Sequence, residues 1–133
     1  ADRMDASFAV IVKRRPEPNQ VEVVEVIGDV AGKVCVMVDD MVDTAGSLVV
    51  GAAALLERGA RGVYACATHP VLSGPAIENI QRSRLREVIV SDSIPLREDA
   101  KACGRIKVLS VAPLLAKAIQ SIHEATSVSS LFV

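Results

Sequence analysis

Two adjacent carboxylates and the short loop that follows them are the clearest chemical feature of the sequence. Asp39 and Asp40 come directly after an apolar run, and residues 43–47 (Asp-Thr-Ala-Gly-Ser) lead into a predicted helix. A helix N-terminus presents unpaired N–H groups and the positive end of the helix dipole, so it can hold an anion. Carboxylates accept hydrogen bonds from sugar hydroxyls. The pattern therefore predicts a binding site for a sugar phosphate.

Each residue of the loop suits that role in its own way. Ala45 and Gly46 have little or no side chain, so the backbone can approach a phosphate closely. Thr44 and Ser47 add hydroxyl donors, and the preceding carboxylate pair can instead hold the hydration shell of a Mg²⁺ ion. The alternative is that Asp43 or Thr44 acts only as a helix N-cap. That alternative accounts for one residue and leaves the carboxylate pair unexplained.

A second candidate feature is the basic segment 13–20 (KRRPEPNQ), which carries the densest positive charge in the chain. Its two prolines exclude a central strand, so the segment is predicted to be a loop. Cations on such a loop can stabilise a polyphosphate. The alternative is a charged loop exposed to solvent, which is the ordinary place for Lys and Arg.

The elements that must position these residues follow from the apolar pattern. Short β-branched runs predict strands over residues 8–12, 21–27, 34–38, 63–67, 87–90 and 106–111. Apolar residues at helical spacing predict helices over residues 48–58 and 113–124. A Ser-Gly-Pro sequence at residues 73–75 opens another helix that runs to about residue 82, and a short helix is expected over residues 97–103. The strand at 21–27 reads as an edge strand or hairpin arm. Alternating strands and helices indicate one α/β domain over residues 1–133, with a parallel sheet covered by helices on both faces. Ligands of such sheets bind beyond the carboxyl ends of the strands.

Composition excludes several classes of protein. The chain has 133 residues, a net charge of −1 and only 2% aromatic residues, which argues against a general nucleic-acid binder. Its three cysteines form neither a disulfide framework nor a zinc motif. No apolar run approaches the roughly 20 residues that span a bilayer, and no signal peptide is visible. A cytoplasmic protein without a membrane partner is expected.

Residues 34–48 (VCVMVDDMVDTAGSL) resemble the phosphoribosyl pyrophosphate (PRPP) motif of type I phosphoribosyltransferases and of ribose-phosphate pyrophosphokinases (PRPP synthetases). The form DDMxDTAG is more similar to the latter family. Further segments resemble the same family, namely residues 13–19, 26–30, 68–76, 93–96 and 127–132. The resemblance covers essentially the whole chain but only the C-terminal domain of that two-domain family.

The resemblance implies a phosphoribosyltransferase-like (Rossmann-like) domain with a flexible loop near its N-terminus. It implies a kinase that transfers the diphosphoryl group of ATP to the 1-hydroxyl of ribose 5-phosphate, giving PRPP and AMP for nucleotide biosynthesis. Residues 43–47 would hold the 5-phosphate, and Asp39, with Asp40 beside it, the ribose hydroxyls. Lys13 and Arg15 would be catalytic, and Arg15 would also contact substrate.

The resemblance also implies partners. Mg²⁺ would be bound mainly by ligands outside this chain, and Ser127 and Ser129 would belong to a regulatory site. The helix 113–124 would dock on an absent N-terminal domain or mediate self-association, and members of the family are commonly hexamers. Without the other domain, the chain is expected to be inactive.

Three alternatives remain open at the sequence level: a type I phosphoribosyltransferase, a non-catalytic regulatory subunit of the synthetase, and a PRPP-sensing regulator of nucleic acid. The first lacks an apparent base-binding segment, and the last lacks a basic face. An inert subunit would be expected to lose the acids of the loop, which are present here. Ser47 in place of Thr and Glu17 within the basic loop depart from the family pattern.

Overall fold

The computed structural model describes residues 6–14 and 23–132. A hairpin of two antiparallel strands, β1 (Val10–Arg14) and β2 (Val23–Ile27), precedes a four-stranded sheet. The remaining elements are, in chain order, β3 (Val34–Val42), α1 (Gly46–Glu57), β4 (Gly62–Pro70), α2 (Ala76–Arg82), β5 (Val88–Ser91), α3 (Glu98–Ala102), β6 (Ile106–Leu109), α4 (Ala112–His123) and a 3₁₀ helix (Val128–Phe132).

The four-stranded sheet is parallel, and its strands lie in the order β3-β4-β5-β6. This confirms the predicted α/β fold with a parallel sheet flanked by helices. Helices on both faces were expected, and here the structure differs. The strands lie in the sheet in the same order as in the chain, and crossovers between parallel strands are right-handed. Helices α1, α2 and α3 therefore lie on the same face of the sheet.

Burial of the strand residues agrees with this arrangement. The side chains on one face are buried: Val63, Ala65, Val88, Val90 and Ile106. On the opposite face of β3, Val34, Val36 and Val38 are exposed, with Val38 at 81%. The parallel sheet therefore has one well-packed face and one open face among the described residues.

The predicted ends of two strands were too early. The prediction stops the third strand at Val38, yet β3 continues to Val42. Asp39 and Met41 pair with Ala67 and His69 of β4, which also continues past its predicted end. The ladder continues because its hydrogen bonds join backbone groups, which polar side chains at the strand ends do not interrupt.

The buried core includes residues of α2 and of the turn that follows it. Ile80 and Leu85 are among the most buried side chains. The guanidinium of Arg105 donates through Nη1 to the carbonyl oxygens of Ser83 (2.6 Å) and Leu85 (3.1 Å). These bonds supply donors to a carbonyl at the C-terminal end of α2 and to one in the turn that follows it.

All three cysteines are free thiols, and burial raises the pKa of both Cys35 and Cys66. No helix within residues 6–14 and 23–132 has the length and apolar character to cross a membrane.

Helix α4 has no buried residue, and it exposes apolar side chains such as Ile119. The expected docking of this helix on another domain stays a prediction.

Truncation of the core should be costly. We expect Ile80→Ala to lower the free energy of unfolding by about 2–5 kcal/mol, because the side chain is 0% exposed and its loss leaves a cavity. Ile119→Ala is the matched control: its side chain is 68% exposed, so the cost should stay within about 0.5 kcal/mol. Urea unfolding followed by circular dichroism measures both. Equal costs for the two variants would contradict the assigned core.

Candidate functional site

The predicted sugar-phosphate loop joins β3 to α1. Val42, 1% exposed, anchors the end of β3 in the core, and residues 43–45 then turn into the helix at Gly46. The side chains of Asp43, Thr44 and Ser47 are exposed beyond the carboxyl end of the strand. This is the end of a parallel sheet at which ligands bind. The structure thus brings residues 43–47 together where the sequence predicted.

The two carboxylates before the loop differ in their surroundings. Both are exposed, and Asp39 Oδ1 accepts a hydrogen bond from the N–H of Asp40 (2.9 Å). Because both belong to β3, strand alternation directs their side chains toward opposite faces of the sheet. Asp39 shares a groove with Ser47 on the side of α1. Asp39 is therefore the carboxylate placed beside the loop.

The start of α1 is suited to an anion. Ala45 occupies the N-cap position with a left-handed backbone (φ 61°), and no side chain caps the helix there. The alternative that Asp43 or Thr44 serves as the N-cap is therefore wrong. The first intrahelical bond runs from Val49 N–H to the carbonyl of Ala45 (3.0 Å), so the amides of residues 46–48 precede it. Amides in that position are the donors that bind phosphate groups at helix N-termini.

The segment after β4 holds the loop in place. Ser73 Oγ donates to the carboxylate of Asp43, and Asn79 Nδ2 donates to the carbonyl oxygen of Thr44 (2.9 Å). The backbone adds a bond from Ser73 N–H to the carbonyl of Asp43 (3.1 Å). The loop is thus fixed by partners about 30 residues away in sequence. Ser73 and Asn79 were not predicted as supports of the loop, since only the pairing of β3 with β4 brings them near it.

A second polar cluster lies at the ends of β4 and β5. The hydroxyls of Ser91 and Ser93 donate to the carbonyl oxygen of Thr68 at 2.6 and 2.9 Å. His69 Nδ1 lies 3.0 Å from the Ser93 oxygen. Hydrogen bonds from the Ser110 hydroxyl and from the Val111 N–H lower the pKa of the Asp92 carboxyl. The bond from Val111 (2.9 Å) ties the start of α4 to this edge of the sheet.

The other predicted site residues lie outside the loop 43–47 in the sequence. Lys13 lies in β1, and Arg15 falls outside the described residues. Ser127 and Ser129 are exposed after α4, where the carbonyl of Ser127 accepts a bond from the Ser130 hydroxyl (2.6 Å). Their catalytic and regulatory roles stay predictions.

A metal site does not form from the described part of this chain alone. Within residues 6–14 and 23–132, no three His, Cys, Asp or Glu side chains converge in a way that could hold a metal ion. The carboxylate of Asp39 and its neighbours offer the oxygen ligands that Mg²⁺ prefers, but too few of them converge. The donors among residues 6–14 and 23–132 therefore do not by themselves complete a Mg²⁺ site.

Comparison with known proteins gives a consistent result. Residues 4–133 match the model of the phosphoribosyl synthetase-associated domain family. Curated ribose-phosphate pyrophosphokinases are similar: that of Oceanobacillus iheyensis is 52% identical over 99% of this chain and 41% of its own length. Those of Caldanaerobacter subterraneus and Xanthomonas axonopodis are 56% and 57% identical, over 42% and 40% of their lengths.

A solved structure agrees with these matches. The phosphoribosylpyrophosphate synthetase from Mycobacterium smegmatis superposes with a TM-score of 0.71 at 44% identity, covering 77% of this chain and 34% of that protein. The chain thus spans about two-fifths of the length of the curated relatives it matches. These percentages state how much of each relative the chain matches. That the matched region is the C-terminal domain of the relatives stays a prediction.

The support from α2 yields a test of the loop. We expect Asn79→Ala to increase amide hydrogen exchange in residues 44–47 several-fold and to cost about 1 kcal/mol of stability, because the Thr44 carbonyl loses its donor. Glu78→Ala is the control from the same helix, since the Glu78 carboxylate pairs with Arg82 (2.7 Å) on the protein surface. Unchanged exchange in the first variant would show that Asn79 does not hold the loop.

The carboxyl of Asp92 yields a prediction about pH. Its folded pKa lies below the usual value of 3.8, so the stability it contributes is present above that value and is lost as pH falls through the folded pKa. The start of α4 should loosen in the same range, because the Val111 N–H then faces a protonated acid. NMR titration of the Asp92 carboxyl and the Val111 amide measures both. Asp92→Asn keeps an acceptor without a charge and should abolish the shared titration.

Proposed function

Because the chain belongs to the phosphoribosyl synthetase-associated domain family, we propose that it is part of a ribose-phosphate pyrophosphokinase and carries the ribose 5-phosphate site. The observation that supports this most directly is the loop 43–47, held at the N-terminus of α1 by bonds from α2 and the preceding turn. The names of the relatives place the family in PRPP synthesis. That this chain itself binds ribose 5-phosphate and takes part in that reaction is what we propose.

The phosphate end of the substrate would lie over the start of α1. The amides of residues 46–48 and the hydroxyls of Thr44 and Ser47 would donate to its oxygens. The positive end of the helix dipole favours a dianion there. Gly46 and the left-handed Ala45 let the backbone approach those oxygens closely. Because Ser73 and Asn79 already hold the loop, little ordering cost remains when phosphate binds.

The ribose would extend from the phosphate toward the carboxylates. The Asp39 oxygen that is not engaged by the Asp40 N–H can accept from a sugar hydroxyl. Asp40, on the opposite face of the strand, would contribute only where the strand twists at its end. Asp39 is therefore the main partner of the 2- and 3-hydroxyls in this proposal.

The reaction would be diphosphoryl transfer. The ribose 1-hydroxyl oxygen forms a bond to the β-phosphorus of ATP and loses its proton, while the bond from that phosphorus to the oxygen bridging the α-phosphate breaks and releases AMP. Such transfers depend mainly on positioning and charge stabilisation. Lys13 and Arg15 would supply cationic charge to the transferring group. Magnesium is proposed to be held mainly by groups outside this chain, and no step here is assigned to it.

The proposal also includes ATP as the donor of the diphosphoryl group and a regulatory role for Ser127 and Ser129. It further includes a cytoplasmic homo-oligomer, which is hexameric in the resembled family. The family match favours the synthetase over a type I phosphoribosyltransferase. Against a non-catalytic subunit, all acidic and small residues of the loop are present.

Calorimetric titration with ribose 5-phosphate tests the site. We expect weak binding to the isolated chain, and Ser47→Ala should weaken it about tenfold, because a hydrogen bond to a charged phosphate is lost. Ser121→Ala, on α4, is the control and should leave affinity unchanged. No AMP should form with ATP and Mg²⁺ present. Equal affinity for ribose 5-phosphate and inorganic phosphate would contradict a ribose contact by Asp39.

A further inference from the structure

The turn between β4 and α2 contains a leucine in an unfavourable backbone conformation. Leu72 has a φ of 49°, which lies in the left-handed region. Within residues 6–14 and 23–132, the other non-glycine residues in that region are Ala45 and Ala125, whose side chains are small. A left-handed backbone brings Cβ too close to the following carbonyl oxygen, so a bulky residue there is a genuine outlier. Leu72 therefore needs an interaction that offsets this strain.

Burial of the side chain supplies that interaction. Leu72 is 2% exposed and belongs to the hydrophobic core. Removal of a leucine side chain from water stabilises a fold by at least as much as a left-handed backbone destabilises it. Gly74, two residues later, is also left-handed (φ 50°), but glycine adopts this conformation without strain. The core thus holds Leu72 in a conformation that its backbone alone would not favour.

The turn at Leu72 directs two backbone donors at the end of β3 and the loop that follows. The N–H of Leu72 donates to the carbonyl of Val42 (2.9 Å), and the N–H of Ser73 donates to the carbonyl of Asp43 (3.1 Å). Successive N–H groups of an extended strand point to opposite sides. Both groups therefore reach the same neighbouring segment because the chain turns between them, at Leu72.

Asp43 is the charged residue of the loop 43–47, and the turn holds it twice. Besides the backbone bond, the Ser73 hydroxyl donates to the Asp43 carboxylate. A carboxylate repels a phosphate group, so an anion binds at the start of α1 only if this charge is held elsewhere. The two bonds from Ser73 fix both the backbone at the start of the loop and the position of its negative charge.

We propose that Leu72 is a positioning residue for the loop 43–47, because burial of its side chain maintains the left-handed turn that directs Ser73 at Asp43. Only the identity of the ligand, ribose 5-phosphate, rests on the proposed function; the geometry of the turn does not. The alternative is that Leu72 only fills the core. The two roles differ in the effect of a glycine at this position.

Leu72→Ala and Leu72→Gly separate the two roles. Both remove nearly all of the side chain and leave similar cavities, but only glycine accepts a left-handed backbone without strain. We expect Leu72→Gly to melt about 3 °C above Leu72→Ala, measured by circular dichroism. Leu85 is the matched control, because it is also 2% exposed and has no positive φ. At that position the order should reverse, with Leu85→Gly melting below Leu85→Ala.

Amide hydrogen exchange without ligand tests the link to Ser73. In Leu72→Ala the strain is no longer offset by burial, so the turn should relax and the Ser73 amide should exchange at least about fivefold faster than in Leu72→Gly. The Ala65 amide donates to the carbonyl of Glu87 within the sheet (3.0 Å) and reports global unfolding. The exchange rate of Ser73 is therefore compared as its ratio to that of Ala65.

Calorimetry with ribose 5-phosphate links the turn to the site. Leu72→Ala should bind about fivefold more weakly than Leu72→Gly, because the loop is then less well ordered before binding. Leu72→Met, which keeps an apolar side chain in the core, should bind as the unaltered chain does. Equal affinities of the alanine and glycine variants would overturn the proposal, as would equal exchange ratios or a glycine variant that melts below the alanine variant. If the unaltered chain does not bind ribose 5-phosphate, the proposed function fails, and the exchange ratio alone decides the role of Leu72.

A second pair of variants serves if the truncated ones do not fold. Leu72→Met and Leu72→Val both keep an apolar side chain in the core. The β-branched valine tolerates a left-handed backbone poorly, so the Ser73 amide should exchange several-fold faster in Leu72→Val, relative to Ala65. Equal ratios in this pair would show that Leu72 only fills the core.

Discussion

The parallel ladder between β3 and β4 is the constraint on which the rest of the structure depends. Its register runs from Val34 opposite Gly62 to Val42 opposite Pro70. Both strands therefore end at the same level, and the segments that follow them leave the sheet side by side. The N–H of Leu72 then reaches the carbonyl of Val42 (2.9 Å), and Asn79 reaches a loop residue 35 positions earlier. A slip of this register by one residue would separate the loop from its supports and turn the apolar side chains of β3 over.

The sequence predicted the type of each element well because the local pattern determines it. Every predicted strand and helix has a counterpart, and the largest errors are at strand ends. Polar residues such as Asp39 and Thr68 suggested loops, but ladder hydrogen bonds depend on the backbone and on the neighbouring strand. The placement of α1, α2 and α3 on one face was also missed. Alternation of strands and helices establishes parallel crossovers, whereas the faces they cover follow from the order of strands in the sheet.

The candidate site shows the same division between local and long-range information. Residues 43–47 could be predicted because small, hydroxyl-bearing and acidic types stand together at the start of a helix. Ser73 and Asn79 could not, since no local pattern links them to a loop about 30 residues away. The left-handed conformation of Ala45 is another such case. A non-glycine residue there is strained by roughly 1–3 kcal/mol, and such strain is retained chiefly at functional sites.

The open face and edge of β3 are linked to the site by the geometry of this strand. Parallel sheets generally have both faces covered, and the apolar residues of β3 alternate through both of its faces. Here α1 covers Met37, while Val38 remains 81% exposed. The groove along the same strand is lined by Asp39 and Ser47. An apolar wall therefore borders one side of the sugar-phosphate loop, and its low dielectric would strengthen the electrostatic interactions of the loop with a bound anion.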